Sequence, residues 1–418
     1  MTLTARPPLT HTLNALEHGA PLLRADAVAL LSAGGTDLAR LMALASARRR
    51  PSPFITYSRK VFIPLTNLCR DVCGYCTFAR SASDPKAHTM TPDEVLAVAR
   101  AGQAVGCKEA LFSLGERPEE RHPAMRETLR HLGYASTTHY LAAMCDLVFR
   151  ETGLLPHANC GVLNRNELEL LAPHNASMGL MLESASPRLL EKGQAHWACP
   201  GKAPDLRTQT IRTAAEVGVA FTTGLLIGIG ETLDERVDTL YALRDLAADT
   251  GNVQEIIVQN FRAKADTRFR NGPPRPAAQG EPPQESDPTG AMARAGTIEP
   301  SALEMARTIA VARLILGPDA NIQAPPNLTP EAYAFYLLAG INDWGGVSPI
   351  TRDHINPEAA WPALDDLRSV TADAGFVLRE RLAIYPAYQT PRFLRPAIAT
   401  RVQELVGPDG LAKENAPC

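Results

Sequence analysis

At 418 residues, with a formal net charge of -3 and 21% charged residues, the chain has room for a large core and no broad basic surface, which excludes a nucleic-acid binder that works by electrostatics. No window approaches the roughly 18 uncharged apolar residues of a membrane helix, and no basic-then-apolar leader opens the sequence, so a cytoplasmic protein without a membrane partner is expected. Of the eight cysteines, Cys107, Cys145, Cys160, Cys199 and Cys418 are scattered singly, unlike a secreted disulfide framework.

Leu22, Leu23, Ala27, Leu30, Leu31, Leu38, Leu41 and Leu44 fall at helical spacing around a break at Gly34-Gly35, which predicts a helical N-terminal extension over 1–53. From residue 60 onward, short apolar runs alternate with amphipathic helices, the pattern of a parallel sheet with crossover helices. Eight strands are predicted, at 60–66, 108–114, 154–160, 176–183, 218–228, 253–260, 319–324 and 338–343. Between them lie helices at 91–104, opened by Thr91 with Pro92 at its first position, and at 301–316. Eight such repeats favour an α/β fold of the closed (βα)8 TIM-barrel type, over 54–400, with 401–418 as a tail. The stretch 271–297 is rich in proline, glycine, alanine and glutamine and is expected to be a flexible insertion inside the barrel.

Just past the first predicted strand stand Cys69, Cys73 and Cys76, three thiols that can hold three irons of a [4Fe-4S] cluster and leave the fourth open. The competing metal is zinc, which wants four closed ligands. Only Cys107, His88 or a more distant group is on hand as the fourth.

Gly115-Glu116 follows the second strand, where glycine admits close backbone approach and the carboxylate can accept from an ammonium. Glu183 ends an apolar strand and would point into the barrel mouth, unless Arg188 or Arg207 takes it as an ion pair. Gly228 and Gly230 imitate a dinucleotide fingerprint but lack its third glycine, since Leu233 stands there; glycines against which an adenosyl group can lie fit better. Gln259 and Asn260 close another strand with amides able to read a heterocycle. Asn342, Asp343, Trp344, Thr351, Asp353 and Asn356, interleaved with glycines, suit a polar aromatic ligand. Tyr140, His139, His196 and His354 are candidate bases by chemistry alone.

Taken together these residues resemble the radical S-adenosylmethionine superfamily, whose C-x3-C-x2-C motif matches Cys69, Cys73 and Cys76. The segment from Ile341 through Asn342-Asp343-Trp344-Gly345-Gly346 to Pro349, with Asn356 and Trp361, resembles more narrowly the CofG family of FO synthase subunits. The resemblance implies a [4Fe-4S] cluster and S-adenosylmethionine as cofactors, with Tyr75 against adenine and Gly115-Glu116 receiving the amine. It implies ring closure of a 4-hydroxybenzyl-ribityl-uracil adduct to the deazaflavin FO with loss of ammonia. Glu183, Gln259, Asn260, Asp343 and Asp353 are then expected in catalysis, and Asn342, Trp344 and Thr351 at the substrate. A separate CofH-type companion would supply the adduct, since a single three-cysteine motif leaves no room for a fused second half, and flavodoxin or ferredoxin would supply electrons. Gly201 and Ala203 depart from the acidic residues expected beside Lys202, and Ala265 from an expected proline. The rivals are another radical enzyme of this barrel group (CofH-like, biotin synthase-like or tyrosine lyase-like), a non-enzymatic iron-sulfur electron carrier and a zinc-stabilised binding protein.

Overall fold

The computed structural model describes residues 9–270 and 299–413; the expected insertion at 271–297 and Cys418 lie outside them. Nine parallel strands form one sheet: β1 (Phe54–Thr66), β2 (Glu109–Leu114), β3 (Leu155–Asn159), β4 (Ser177–Gly179), β5 (Phe221–Ile227), β6 (Val253–Asn260), β7 (Ile322–Gln323), β8 (Asp343–Val347) and β9 (Val377–Glu380). Neighbours run in chain order from β2 to β8, then β1, and β1 also pairs with β2, which closes an eight-stranded barrel. Strand β9 adds to the start of β1 outside the closure, with Phe54 opposite Val377.

Strand β1 begins six residues before the predicted 60. The polar run Ser58-Arg59-Lys60 straddles the predicted start, yet Ser58 and Lys60 are buried, with Lys60 2.7 Å from Glu109 on the paired strand. A second difference concerns the last barrel strand, expected at 338–343 and found at Asp343–Val347, where two glycines read as a ligand loop. A Cβ on Gly346 would stand 2.0 Å from Lys60 Cε, and one on Gly345 2.1 Å from Gln323 Nε2. Glycine is required here because long polar side chains fill the lumen beside the strand. Strand β4 is shorter than the predicted 176–183: the chain leaves the ladder after Gly179 and reaches Glu183 with φ at +64°.

The helices are set as their sequence signals indicate. Thr91 caps Pro92–Ala104 with a reciprocal Glu94 box, and Ser301 accepts from Glu304 N–H at the start of Ala302–Leu316. The N-terminal extension forms three helices, Leu9–Glu17, Arg24–Leu30 and Gly35–Arg48, the last burying Leu38, Leu41 and Ala45 as it packs on Ala302–Leu316.

Residues after β9 form the barrel floor. The Ala383 carbonyl accepts from Ser177 Oγ and Gln254 Nε2 at the starts of β4 and β6, while Arg381 reaches Asp343 at 2.6 Å and Glu255 at 2.7 Å. Helix Pro396–Leu405 crosses the expected boundary at 401 and buries Ile398, Val402 and Leu405 against Leu382 and Ile384.

Candidate active site

Strand β1 delivers the cysteine loop to the C-terminal end of the barrel, where loops carry chemistry in this architecture. The loop is held from several sides. Gly74 N–H donates to Ala195 O, Phe269 N–H to Gly74 O, His122 Nε2 meets Cys69 O at 3.0 Å, and Thr77 Oγ1 donates to Ile355 O. Gly115 must be glycine, since a Cβ there would lie 1.8 Å from Leu68 O. This close approach lets Glu116 N–H donate to Cys69 Sγ at 3.2 Å while Arg70 N–H returns a bond to Glu116 O.

A cavity of about 240 Å³ opens above the strands, lined by the three cysteines, Tyr75, Gly115, Glu116, Glu183, Gln259 and Asn260 among others. Glu116 is buried and faces Arg70 at 2.8 Å and Arg207 at 3.8 Å. Glu183 is taken by Lys202 at 2.5 Å, His196 at 3.0 Å and the Tyr75 hydroxyl, which donates to it. Burial alone would raise the Glu183 carboxyl, but Lys202, His196 and Arg207 outweigh it and hold the group well below the usual range. The ion pair anticipated for Glu183 exists, with Lys202 as partner; Arg188 instead binds Glu235.

Burial pushes Cys69 up to about 12 and raises Cys76, whereas a hydrogen bond from the Cys199 thiol draws Cys73 down. Binding a metal here therefore displaces protons. Among the described residues no three His, Cys, Asp or Glu side chains close on one point as ligands of a single ion do. A cubane asks less of convergence, because each thiolate holds its own iron. His88 is spent on Glu94 at the surface, and Cys107 is buried just before β2, at the opposite end of the barrel.

Other expected residues stand back from the cavity. Gly228 and Ile229 N–H groups bind Glu231, so the Gly228 to Gly230 turn wraps a carboxylate of its own chain. Asn342 bonds Ile322 N–H, Arg313 and Asn321; Asp343 is enclosed by Arg381, Thr56 and Gly345 N–H. Trp344 is fully buried, its Nε1 donating to Thr371. Thr351 accepts from Phe62 N–H, and Asp353 holds Asn356, which does line the cavity. Of the candidate bases only His196 is at the site: Tyr140 donates to Met90 O, His139 lies at the Ser136 cap, and His354 is half-buried beside Arg352.

The cavity also brings in Arg207, named in sequence only as a possible partner of Glu183, and Asp71, Asn159, Lys202, Arg262 and Lys264, to which the sequence assigns no role. Asp71 lies inside the cysteine motif, a signal available beforehand. Lys264 carries none beyond its place four residues past β6. A larger cleft, about 1100 Å³, opens at the other end among Arg49, Tyr385, Tyr388 and Arg392. It has no cysteine or histidine in its lining, and its carboxylates Glu255, Asp319 and Asp409 are bound by Arg381, Arg50 and Arg379. Volume does not locate the chemistry.

The radical SAM superfamily model matches residues 63–242. An FO synthase of Nocardia farcinica is 45% identical over 98% of this chain, which spans 46% of that protein. A 7,8-didemethyl-8-hydroxy-5-deazariboflavin synthase of Methanopyrus kandleri is 44% identical over 86% of this chain and all of its own length. Among solved structures, the FeFe-hydrogenase maturase HydG from Carboxydothermus hydrogenoformans superposes with a TM-score of 0.68 at 18% identity, covering 92% of this chain and 81% of that one. Methylornithine synthase gives 0.63 at 17%, covering 87% and 94%. These two share the barrel.

Proposed function

The chain belongs to the 7,8-didemethyl-8-hydroxy-5-deazariboflavin synthase family of radical SAM enzymes, and from that premise we propose that it closes a 4-hydroxybenzyl-ribityl-uracil adduct to FO with loss of ammonia, as a carbon–nitrogen lyase. The observation that carries the reading is the cysteine loop locked to Gly115-Glu116 through the Cys69 Sγ bond, beside a polar cavity, in a chain 44% identical to a synthase across that protein's whole length. The donor set fits the family's cofactors: Cys69, Cys73 and Cys76 would hold a [4Fe-4S] cluster, with S-adenosylmethionine in the cavity beside it. When bound, this pair supplies a carbon radical able to take a hydrogen atom from an unactivated position.

The chain's own residues bind, orient and exclude water. Glu116, whose N–H bonds Cys69 Sγ, presents a carboxylate that suits the ammonium of an amino acid, while Tyr75, fixed by Glu183 and His196, offers a ring face to a purine. His196 is held below its usual pKa by burial, opposed by Glu183, and so is neutral at pH 7, able to relay a proton through Tyr75 or Glu183. Leu180, Leu226 and Phe261 complete an apolar wall that limits water near a reactive radical. A companion of the CofH type is proposed to supply the adduct, and flavodoxin or ferredoxin the electron.

The test is anaerobic incubation of the reconstituted protein with the adduct, S-adenosylmethionine and a reductant. Blue-green fluorescent deazaflavin is the expected product. Deoxyadenosine without deazaflavin would favour another radical enzyme of the barrel group, and a reduced-cluster spectrum indifferent to S-adenosylmethionine would favour an electron carrier.

A further inference from the structure

Most charged groups facing the cavity are answered by neighbours: Glu116 by Arg70 and Arg207, Glu183 by Lys202, and Arg262 by Glu299 and Leu328 O. Two groups at the β6 end are not. Asn260 is 2% exposed, its Nδ2 turned to Leu328 O, and its Oδ1 has no donor among the described residues. Lys264, partly buried four residues on, lines the same cavity, and its ammonium makes no hydrogen bond or ion pair among the described residues. Its nearest charges, Glu358, Cys76, Asp353 and Glu299, act on it only at a distance. A buried acceptor without a donor costs free energy that a ligand recovers, and so does a desolvated cation without an acceptor.

The two needs are complementary in one chemical group. A cyclic imide edge presents a ring N–H beside a carbonyl oxygen, one donor and one strong acceptor. We propose that Asn260 Oδ1 and Lys264 Nζ together read the imide edge of the substrate's pyrimidinedione ring, the carboxamide accepting from the ring N–H and the ammonium donating to the adjacent carbonyl. The inference rests on the reaction proposed above and names the residues that recognise its uracil half. An adenine edge also offers a donor beside an acceptor, but its acceptor is a neutral ring nitrogen, a poorer match for an ammonium than a carbonyl conjugated to ring nitrogens. Asn356 and Ile355, from the loop after β8, line the cavity with the pair and can border the same ring.

Binding without turnover separates the inference from the reaction. Ribityl-diaminouracil is titrated into anaerobic cluster-loaded protein, wild type and the variants Lys264→Met, Lys264→Arg and Asn260→Leu, and S-adenosylmethionine is titrated in parallel. Loss of one charge-assisted hydrogen bond is expected to weaken ribityl-diaminouracil binding about 10- to 100-fold in Lys264→Met. Lys264→Arg recovers much of the loss, and S-adenosylmethionine binding stays within about 2-fold of wild type. In turnover the same variant raises KM for the adduct, with KM for S-adenosylmethionine unmoved. Wild-type affinity for ribityl-diaminouracil in both Lys264→Met and Asn260→Leu overturns the inference, as does a loss confined to S-adenosylmethionine. Thermal melts show whether each variant is folded, and Lys264→Arg keeps the test decisive should Asn260→Leu fail to fold. A wild-type protein that binds ribityl-diaminouracil but forms no deazaflavin defeats the reaction and leaves the ring recognition standing.

Discussion

At the barrel floor, Arg381 is enclosed by Asp343, Glu255 and the ring of Tyr385, and Lys60 by Glu109 and the space that Gly346 leaves open. At the mouth, among the described residues, Asn260 Oδ1 and Asp71 Oδ2 lack partners and the Lys264 ammonium stands alone, and Glu183 is held in a left-handed backbone conformation. Both ends bury charge. Around Arg381 and Lys60 the floor neutralises it internally, although Arg49 in the cleft there keeps Nε and Nη1 without hydrogen-bond partners among the described residues; the mouth keeps some for a ligand, at a cost in stability that strained and unsatisfied groups commonly carry at functional sites.

The largest expected effect falls at the mouth. Replacing Cys69, Cys73 or Cys76 with alanine should abolish iron loading and all reductive cleavage of S-adenosylmethionine, measured by iron content and deoxyadenosine release. Cys199→Ala should retain both. Iron lost from Cys199→Ala would make that thiol, which touches Cys73, a fourth ligand and close the open corner on which the reaction depends.

Next comes the floor. Arg381→Met strands Asp343 and Glu255 as buried, unpaired carboxylates, and the expected cost is about 3–5 kcal/mol in urea unfolding of the apo protein. Activity per folded molecule should survive. A folded but inactive variant would break the division of labour between the two ends.

How far this division is legible in sequence depends on which signal a residue leaves. The cysteine spacing is local, and the strands before Glu116, Glu183 and Asn260 are short apolar runs, so pattern alone sets Glu183 at the mouth and Glu116 and Asn260 at strand ends, and all three line the cavity. The Asn342-Asp343-Trp344 segment misled because glycines beside polar and aromatic residues suit a ligand loop and a crowded lumen equally well. Only the third dimension brings Lys60 and Gln323 into the space of Gly346 and Gly345. The floor itself was invisible, since it pairs Arg381 with residues 38 and 126 positions away.

A smaller effect tests the lumen between the two ends. His157 is buried on β3, and because Ser177 Oγ gives its proton to Ala383 O, His157 Nδ1 carries hydrogen and donates to Ser177. Burial, against the pull of Glu109, lowers its pKa to about 4. The unfolded chain, with histidine near 6.5, therefore binds more protons between pH 4 and 6.5, so stability rises with pH through that window and is lost as pH falls. By pH 4.5 this one group should have cost about 2 to 3 kcal/mol relative to pH 7. Urea unfolding of His157→Asn should show a shallower acid slope than wild type; equal slopes would mean that His157 accepts its proton without penalty.

The smallest expected effect bears on Trp344, one of the residues that the sequence places at the substrate. Trp344 is fully buried, edge-on to Tyr333 at 5.4 Å, with Nε1 3.0 Å from Thr371 Oγ1. Phenylalanine would keep the apolar contact and lose the hydrogen bond, a cost of about 1 kcal/mol with some added loss from the smaller ring. If the tryptophan serves only to lock β8 against the outer layer, Trp344→Phe should lower the melting temperature by a few degrees and leave KM for the adduct unchanged. A KM raised 10-fold at unchanged stability would put the indole back at the substrate. The Asn-Asp-Trp-Gly-Gly segment would then act on the ligand as well as on the lumen, and the separation of floor from mouth would fail at β8.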